Sequence, residues 1–299
     1  MSAAAETIAR ATAPSSRRRR PHVTVLIGGA LVLTVIVAAV VSFGWTPFNP
    51  YRTVTADRLL PPGAEGHLLG TEQFGRDIVS MLMVGARTTL FVGILAVGIA
   101  MLVGIPLGAV GTIGPRWLGE LLMRGNDVMY AFPAVLMAIM LSGAFGPGTT
   151  VAMVAIGIAY VPLFARVTRG AALQVMQRDY VLAARAYGRG SSYIFLRHVL
   201  PNISSVLIVQ ATVSFALAIL AEAALSYFGI GTQPPTPSWG RMLKEAQSYL
   251  SSAPLLALWP GLAIALSVLG LNLLGDGLRD ALDPRLAQRT GQVVLGDEP

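Results

Sequence analysis

Six apolar runs, each long enough or nearly long enough to cross a membrane, govern what this chain can become. They fall at Val23–Phe43, within Thr88–Pro115, from near Leu118 through Val128–Phe145, at Thr149–Ala165, from about Val199 to Tyr227, and from about Pro254 to Gly275. A helix needs ~20 apolar residues to span the hydrocarbon core of a bilayer. A helix also pairs its own backbone N–H and C=O groups where no water is present to do so. Composition agrees. Only 12% of the 299 residues are charged, against about 25% in a soluble domain, and the mean hydropathy is +0.64. The expected fold is therefore all-α, a polytopic membrane protein of six transmembrane helices.

The first run needs separate treatment, because Arg17 to Arg20 precede it as they would in a signal peptide. A signal core is about 7–15 residues and ends in small residues for cleavage. This run is longer and leads into Gly44-Trp45, so an uncleaved first helix is favoured. Six spans put both termini on one side, and arginine placement says which. Sixteen basic residues lie on the side shared by the termini, the segment around Arg116 and Arg124, and the long loop after span four; six lie on the other. The positive-inside rule then makes both termini cytoplasmic. That accounts for the net charge of +7 through a lipid bilayer rather than nucleic acid. Pro106, Pro133 and Pro162 interrupt the spans, and prolines kink membrane helices. The Gly146-Pro147-Gly148 turn separates spans three and four.

Several chemistries lack their residues. There is no cysteine, hence no disulfide or thiolate metal site. The one lysine, Lys244, follows Leu243 rather than the glycine of a phosphate-binding loop. His22, His67 and His198 lie on different topological segments, and no metal site is expected. Asp127 falls three residues after Arg124, a spacing that makes neighbours on one helix face. Glu222 lies twenty residues past Asn202, or about 30 Å of helix, near the outer end of span five. A water-filled vestibule on the pathway and a snorkel to the outer interface are both open for it.

The loop from Arg166 to Pro201 is long for a connection between spans. Asp179 to Tyr187 is alanine-rich and helix-forming, and Gly188 follows as a C-terminal stop. Ser191 to Leu200 mixes apolar and basic residues before Pro201 and Asn202 open span five. This reads as a short surface helix, a glycine turn, and a second helix that climbs into the membrane. A basic helix resting on lipid headgroups would explain the arginines but not the alanine–glycine spacing.

These residues carry a resemblance. Ala183-Ala184, then Gly188, then His198-Val199-Leu200-Pro201 is similar in type and spacing to the EAA motif of ABC importer permeases. Leu182 stands at the motif's glutamate position, and His198 replaces the usual isoleucine, as in the peptide-importer branch. The segment His67-Leu68-Leu69-Gly70-Thr71-Glu72-Gln73-Phe74-Gly75-Arg76-Asp77 resembles the one before span two in the C-type permeases of dipeptide, oligopeptide and nickel importers. Pro234-Pro235-Thr236-Pro237-Ser238-Trp239-Gly240 and Leu274-Gly275-Asp276-Gly277-Leu278-Arg279-Asp280-Ala281-Leu282-Asp283-Pro284-Arg285 look like that branch's outer loop and C-terminal end. Each also has a structural reading: Gly70 and Gly75 lock a turn, the prolines stiffen a cap, and Asp283-Pro284 ends a helix.

The resemblance implies a permease subunit of an ATP-driven importer for short peptides, working by alternating access in the bacterial plasma membrane. It implies a coupling helix that contacts an ATPase through Asp179, Leu182, Ala183, Ala184, Arg185, Gly188, His198 and Pro201. It further implies a second permease subunit, two ABC ATPase subunits that hold ATP and Mg, and an extracytoplasmic substrate-binding protein. No cofactor is expected in this chain, and it is not expected to be an enzyme. The expected organisation is a disordered basic tail (1–21), a first span (22–44) and an extracytoplasmic segment (45–86). A permease core (87–285) with its coupling loop (166–201) follows, then a cytoplasmic tail (286–299). Nickel or glutathione transport within the same importer class is the alternative. An ion-coupled secondary transporter predicts buried midplane acids and an inverted repeat, and a membrane enzyme predicts clustered catalytic residues; neither pattern is evident.

Overall fold

The computed structural model describes residues 21–282. The basic tail before Pro21, the Asp283-Pro284-Arg285 end of the C-terminal segment and the tail beyond it lie outside the described residues. Among the described residues ten α-helices follow one another: α1 (Pro21–Val41), α2 (Ile78–Ile113), α3 (Arg116–Tyr130), α4 (Ala134–Phe145), α5 (Thr149–Val175), α6 (Asp179–Ala186), α7 (Ser191–Ile194), α8 (Leu200–Tyr227), α9 (Trp239–Ala246) and α10 (Leu255–Leu282). Among the described residues there are no named strands, only one isolated bridge between Thr71 and Asp77.

Glycine fixes how the long helices meet. A Cβ added at Gly104 of α2 would lie 2.7 Å from Phe164 Cβ and from the Val161 carbonyl oxygen of α5, and one at Gly108 would lie 2.6 Å from the Ala165 carbonyl oxygen. Gly157 meets Ile99 and Ala96 of α2 in the same way. Small residues allow this close approach where lipid supplies no hydrophobic drive between helices. These contacts also give direction: as the number rises along α2 it rises along α5, so the two helices run parallel. Gly28 and Gly270 join α1 to α10 as an antiparallel pair, since Gly28 meets Gly270 and Leu274 while Gly277 meets Val25.

Parallel packing of α2 and α5 settles the third span. Only α3 and α4 connect them, so these two must carry the chain back across the bundle. Gly119 of α3 sits against the Gly111 carbonyl near the arginine-rich end, and Asn126 Nδ2 donates to the Pro162 carbonyl at 3.0 Å. Ala138 of α4 lies in the core near the other end, with Val92, Ala152 and Ile156. The crossing is bent by 83° at Ala131–Pro133 rather than being one helix. Pro133 precedes α4 with φ −57° and ψ 136°, a geometry that cannot continue α3. With the five continuous helices long and apolar enough to cross a membrane, the bent pair taken as one span brings the candidate crossings among the described residues to six. Pro106 and Pro162, by contrast, lie inside unbroken helices. The expected neighbour of Asp127 is also corrected: its carboxylate pairs with Arg166 Nη2 of α5 at 2.8 Å, and that guanidinium covers the Tyr130 ring. Asp127 thus faces α5 rather than Arg124 along its own helix.

The segment between α1 and α2 is irregular but densely bonded. Gly70 and Gly75 have φ +83° and +76°, and an added Cβ at either would collide with a carbonyl oxygen, Leu60 and Val54 respectively. Glu72 Oε1 accepts from Phe74 N–H, Arg76 N–H and Arg76 Nε at 3.0, 3.2 and 3.0 Å. Asp77 caps α2 by accepting from Ser80 N–H at 2.7 Å, and its other oxygen lies 2.9 Å from His67 Nδ1. The turn expected around Gly70 and Gly75 is present, with Arg76 reaching beyond its local partner to Glu245 of α9.

Candidate functional site

Two groups of sequence-selected residues occupy opposite ends of the bundle. The larger is the segment between α5 and α8. Arg178, extended at φ −75° and ψ 145°, turns the chain out of α5, and its carbonyl accepts from Val181 and Leu182 to start α6. Asp179 stands in the first turn and Arg185 in the last, each favourable to the helix dipole. Val181 is fully buried among Ala172, Met176, Ile194, Phe195 and Val199, with Ala184 packed at the edge. One buried valine thus pins an eight-residue helix that would be marginal alone.

The opposite face of α6 is apolar and open. Tyr180, Leu182 and Tyr187 are exposed at 44, 50 and 86%, Ala183 is exposed beside them, and Tyr193 and Leu196 continue the patch from the next helix. Gly188 closes α6 with φ +76°; its N–H donates to Arg185 O at 2.8 Å, and Arg189 N–H donates to Ala184 O at 3.2 Å. This pair of bonds is a Schellman cap, which favours glycine at that position. Nothing lies within 4 Å of a Cβ added at Gly188, so its requirement is conformational, not steric. Of the alanine pair, Ala183 faces out while Ala184 is half-buried against the chain's own core.

A second helix does climb from Gly190 into the bundle, as expected, and runs unbroken from Ser191 to Tyr227. Sequence reasoning missed its π turn at Phe195–Val199, where Leu200 N–H donates to Phe195 O five residues back. Pro201 was the available signal, because it removes the donor that would reach the Arg197 carbonyl and makes regular α geometry incomplete there. Asn202 Nδ2 donates to the His198 carbonyl at 2.6 Å. The His198 ring lies 6.2 and 6.0 Å from Tyr180 and Tyr193, so it bridges α6 to α7. Asp179, Leu182, Ala183, Ala184, Arg185, Gly188 and His198 are thereby gathered at one end, with Pro201 one turn further along.

Glu222 lies at the other end of α8 and is 1% exposed. It does not snorkel to the outer interface, one of the two readings open from sequence. Its Oε1 accepts from Ser226 Oγ at 2.6 Å and Thr232 Oγ1 at 3.2 Å. Ser238 is a third hydroxyl near the carboxylate, though no donor meets Oε2 in hydrogen-bonding geometry. Ser226 and Thr232 form part of the wall of an outer cleft, so Glu222 stands behind that wall rather than on it. Close packing holds it there: the start of α9 lies so near α8 that a Cβ at Gly240 would collide with the Ala223 carbonyl.

The arrangement has counterparts among known proteins. Residues 96–288 match the family described as binding-protein-dependent transport system inner membrane component. The chain is 43% identical over 266 residues to the di/tripeptide transport system permease protein DppC of Pseudomonas aeruginosa, covering 87% of this chain and 88% of that protein. It is 40% identical to a dipeptide transport system permease protein DppC of Alkalihalophilus pseudofirmus over 87% of this chain and 86% of that one. It is 39% identical to the glutathione transport system permease protein GsiD of Pectobacterium atrosepticum over 89 and 88%. In fold it resembles the inward-facing MetNI methionine ABC transporter, with a TM-score of 0.58 at 17% identity over 68% of this chain and 96% of that one. A multi-pass helical bundle that matches this family along two-thirds of its length identifies the chain: it belongs to the family of binding-protein-dependent transport system inner membrane components, the permeases of ABC importers.

Proposed function

We propose that this chain is one permease subunit of an ATP-driven importer that carries short peptides, di- and tripeptides foremost, across the plasma membrane by alternating access. It pairs with a second permease subunit, and two ABC ATPase subunits act at the arginine-rich end, which is cytoplasmic. An extracytoplasmic binding protein delivers substrate to the opposite end. ATP and Mg are bound by the ATPases, and this chain makes and breaks no covalent bond. The relatives named for di/tripeptide and dipeptide transport support the substrate class. Glutathione, named for another relative, is itself a tripeptide and falls within it.

The observation that carries this reading is α6. A short helix pinned by Val181 and closed at Gly188, with Tyr180, Leu182, Ala183 and Tyr187 left open on its far face, is suited to seating in a groove of a partner. Because α6 is fixed to α5 through the core and joined by Gly188 to the helix that becomes α8, force on α6 is delivered to two spans at once. Closure of the ATPases then tilts α5 and α8 together, and the glycine-lined seams let the spans rock without rebuilding the core.

Reconstitution tests it. Proteoliposomes holding this chain with its partner permease, ATPases and binding protein should accumulate labelled trialanine only with internal ATP. Uptake by this chain alone, driven by a proton gradient, would overturn the importer reading in favour of an ion-coupled carrier.

A further inference from the structure

At the end of the bundle opposite α6, a cleft of about 710 Å³ opens between the segment before α2, the turn after α8, and α9. That size falls within the range of small-molecule sites. Its walls carry three cations, Arg58, Arg241 and Lys244, and one carboxylate, Glu245. Glu245 is already engaged. Its Oε1 accepts from Arg241 Nε at 2.7 Å and its Oε2 from Arg76 Nη2 at 3.2 Å. Arg76 is shared with Glu72, so the two arginines and two glutamates of this cluster balance, and the excess positive charge of the cleft is that of Arg58 and Lys244.

Those two cations make no ion pair among the described residues. Arg58 is aligned by Tyr249, donating from Nη2 to the phenol oxygen at 3.2 Å with its guanidinium 5.9 Å from the ring centre. Lys244 Nζ lies over Gly229, close enough to meet an added Cβ at 2.5 Å. Uncompensated cations in a partly enclosed cleft concentrate anions. The far wall adds direction. Ser226 and Thr232 both give their hydroxyl protons to Glu222, and Ser226 Oγ also accepts from Thr232 N–H, so neither hydroxyl is left to donate to an occupant. An anion is therefore left the side of the cleft that holds Arg58 and Lys244.

We propose that this cleft is a carboxylate-binding site in which Arg58 and Lys244 hold the C-terminal carboxylate of the peptide entering from outside. That the carboxylate is the peptide's rests on the importer reading above. Charge-assisted hydrogen bonds of this kind typically change affinity by about 10-fold or more. Arg241 and Glu245 position the wall through their mutual ion pair rather than by gripping the anion.

The complete complex in nanodiscs, without binding protein, provides the test. Equilibrium binding would be compared for labelled trialanine, N-acetyl-trialanine and trialanine amide. The two acids should bind about 10-fold more tightly than the amide, and Arg58→Gln with Lys244→Gln should remove that preference. Arg58→Lys with Lys244→Arg should keep it, which separates lost charge from lost folding. Equal binding of acid and amide, a preference that survives the double glutamine variant, or no binding of the acids would overturn the site. So would a double variant that weakens docking of the empty binding protein and leaves trialanine binding unchanged, since the carboxylate would then belong to that protein. ATP-driven uptake is read in parallel in proteoliposomes that hold the same wild-type complex together with its binding protein: uptake there without acid preference in the binding assay removes this site alone, whereas absent uptake strikes the importer reading itself.

Discussion

Arg76 and Glu245, 169 residues apart in the chain, meet at 3.2 Å where the segment before α2 packs on α9. Arg76 is also held by Glu72 and Glu245 by Arg241, so four charged side chains tie the entry of span two to the exit of span five. Arg76 is 8% exposed and Glu245 16%. Removing one partner of a buried pair is costly because the other charge stays behind. Glu245→Gln is expected to destabilise the purified chain by about 2 kcal/mol, below the usual 3–5 for such losses, since Glu72 still engages Arg76. Thermal unfolding in detergent checks this, with protease sensitivity of residues 45–77 as the local readout. An unchanged melting temperature and unchanged cleavage would show that the pair does not hold this region.

Gly75 and Gly63 separate two reasons for glycine. Both have positive φ, +76° and +85°, but an added Cβ at Gly75 collides with the Val54 carbonyl oxygen while none at Gly63 meets anything within 4 Å. Gly63→Ala should therefore cost only the left-handed backbone penalty, about 1–2 kcal/mol. Gly75→Ala must in addition break the Val54 N–H to Phe74 O bond, 3.0 Å in the folded chain, and should sharply lower the folded yield. Comparable yields of the two variants would contradict this division.

What the sequence made legible was periodic or compositional: the spans, the arginine asymmetry, and the helix–glycine–helix order of the segment after α5. Each depends on residues close in the chain. What it hid depends on partners far away. Pro133 was visible as a kink, yet nothing local announced an 83° bend, or that Asp127 would pair with Arg166 across to α5 rather than with Arg124. Glu222 could be placed along α8 by counting, but the hydroxyls around it include Thr232 and Ser238, which come from the following loop. The pairing of Arg76 with Glu245 has no sequence signature at all. It exists because α9 folds back against α2, with Trp239 Nε1 donating to the Leu82 carbonyl at 3.0 Å.

Sidedness is open to direct measurement because the chain has no cysteine. Leu68 is 70% exposed in the segment before α2, and Tyr187 is 86% exposed beside Gly188. Single cysteines at Leu68 and Thr236 should react with an impermeant maleimide applied to intact cells. Cysteines at Tyr187 and Arg189 should react only after permeabilisation. Six crossings also require the two groups to remain on opposite faces, so equal labelling of all four in intact cells would undo the topology. The inverse pattern would keep the bundle and reverse its orientation.

The last prediction concerns α6, where the geometry refines which substitution is informative. Ala184 packs on the chain's own core, so Ala184→Arg mixes internal overpacking, typically about 1–3 kcal/mol, with any loss at a partner surface. Ala183 faces out, and Ala183→Arg places the bulk and charge on the open face alone. It should leave membrane level and melting temperature unchanged while abolishing co-purification of the ATPases or uptake. Gly188→Val should also impair uptake, because a β-branched side chain strongly disfavours φ +76°. Gly188→Asn should retain most of it, since asparagine enters the left-handed region readily and nothing lies where its Cβ would go. Leu182→Glu restores an acid at a half-exposed position; uptake should persist if the facing groove is polar there and fall if Leu182 makes an apolar contact. Membrane level, co-purified ATPase and uptake would be compared for all four. Normal uptake by both Ala183→Arg and Gly188→Val would mean that α6 is not where the ATPase acts on this chain.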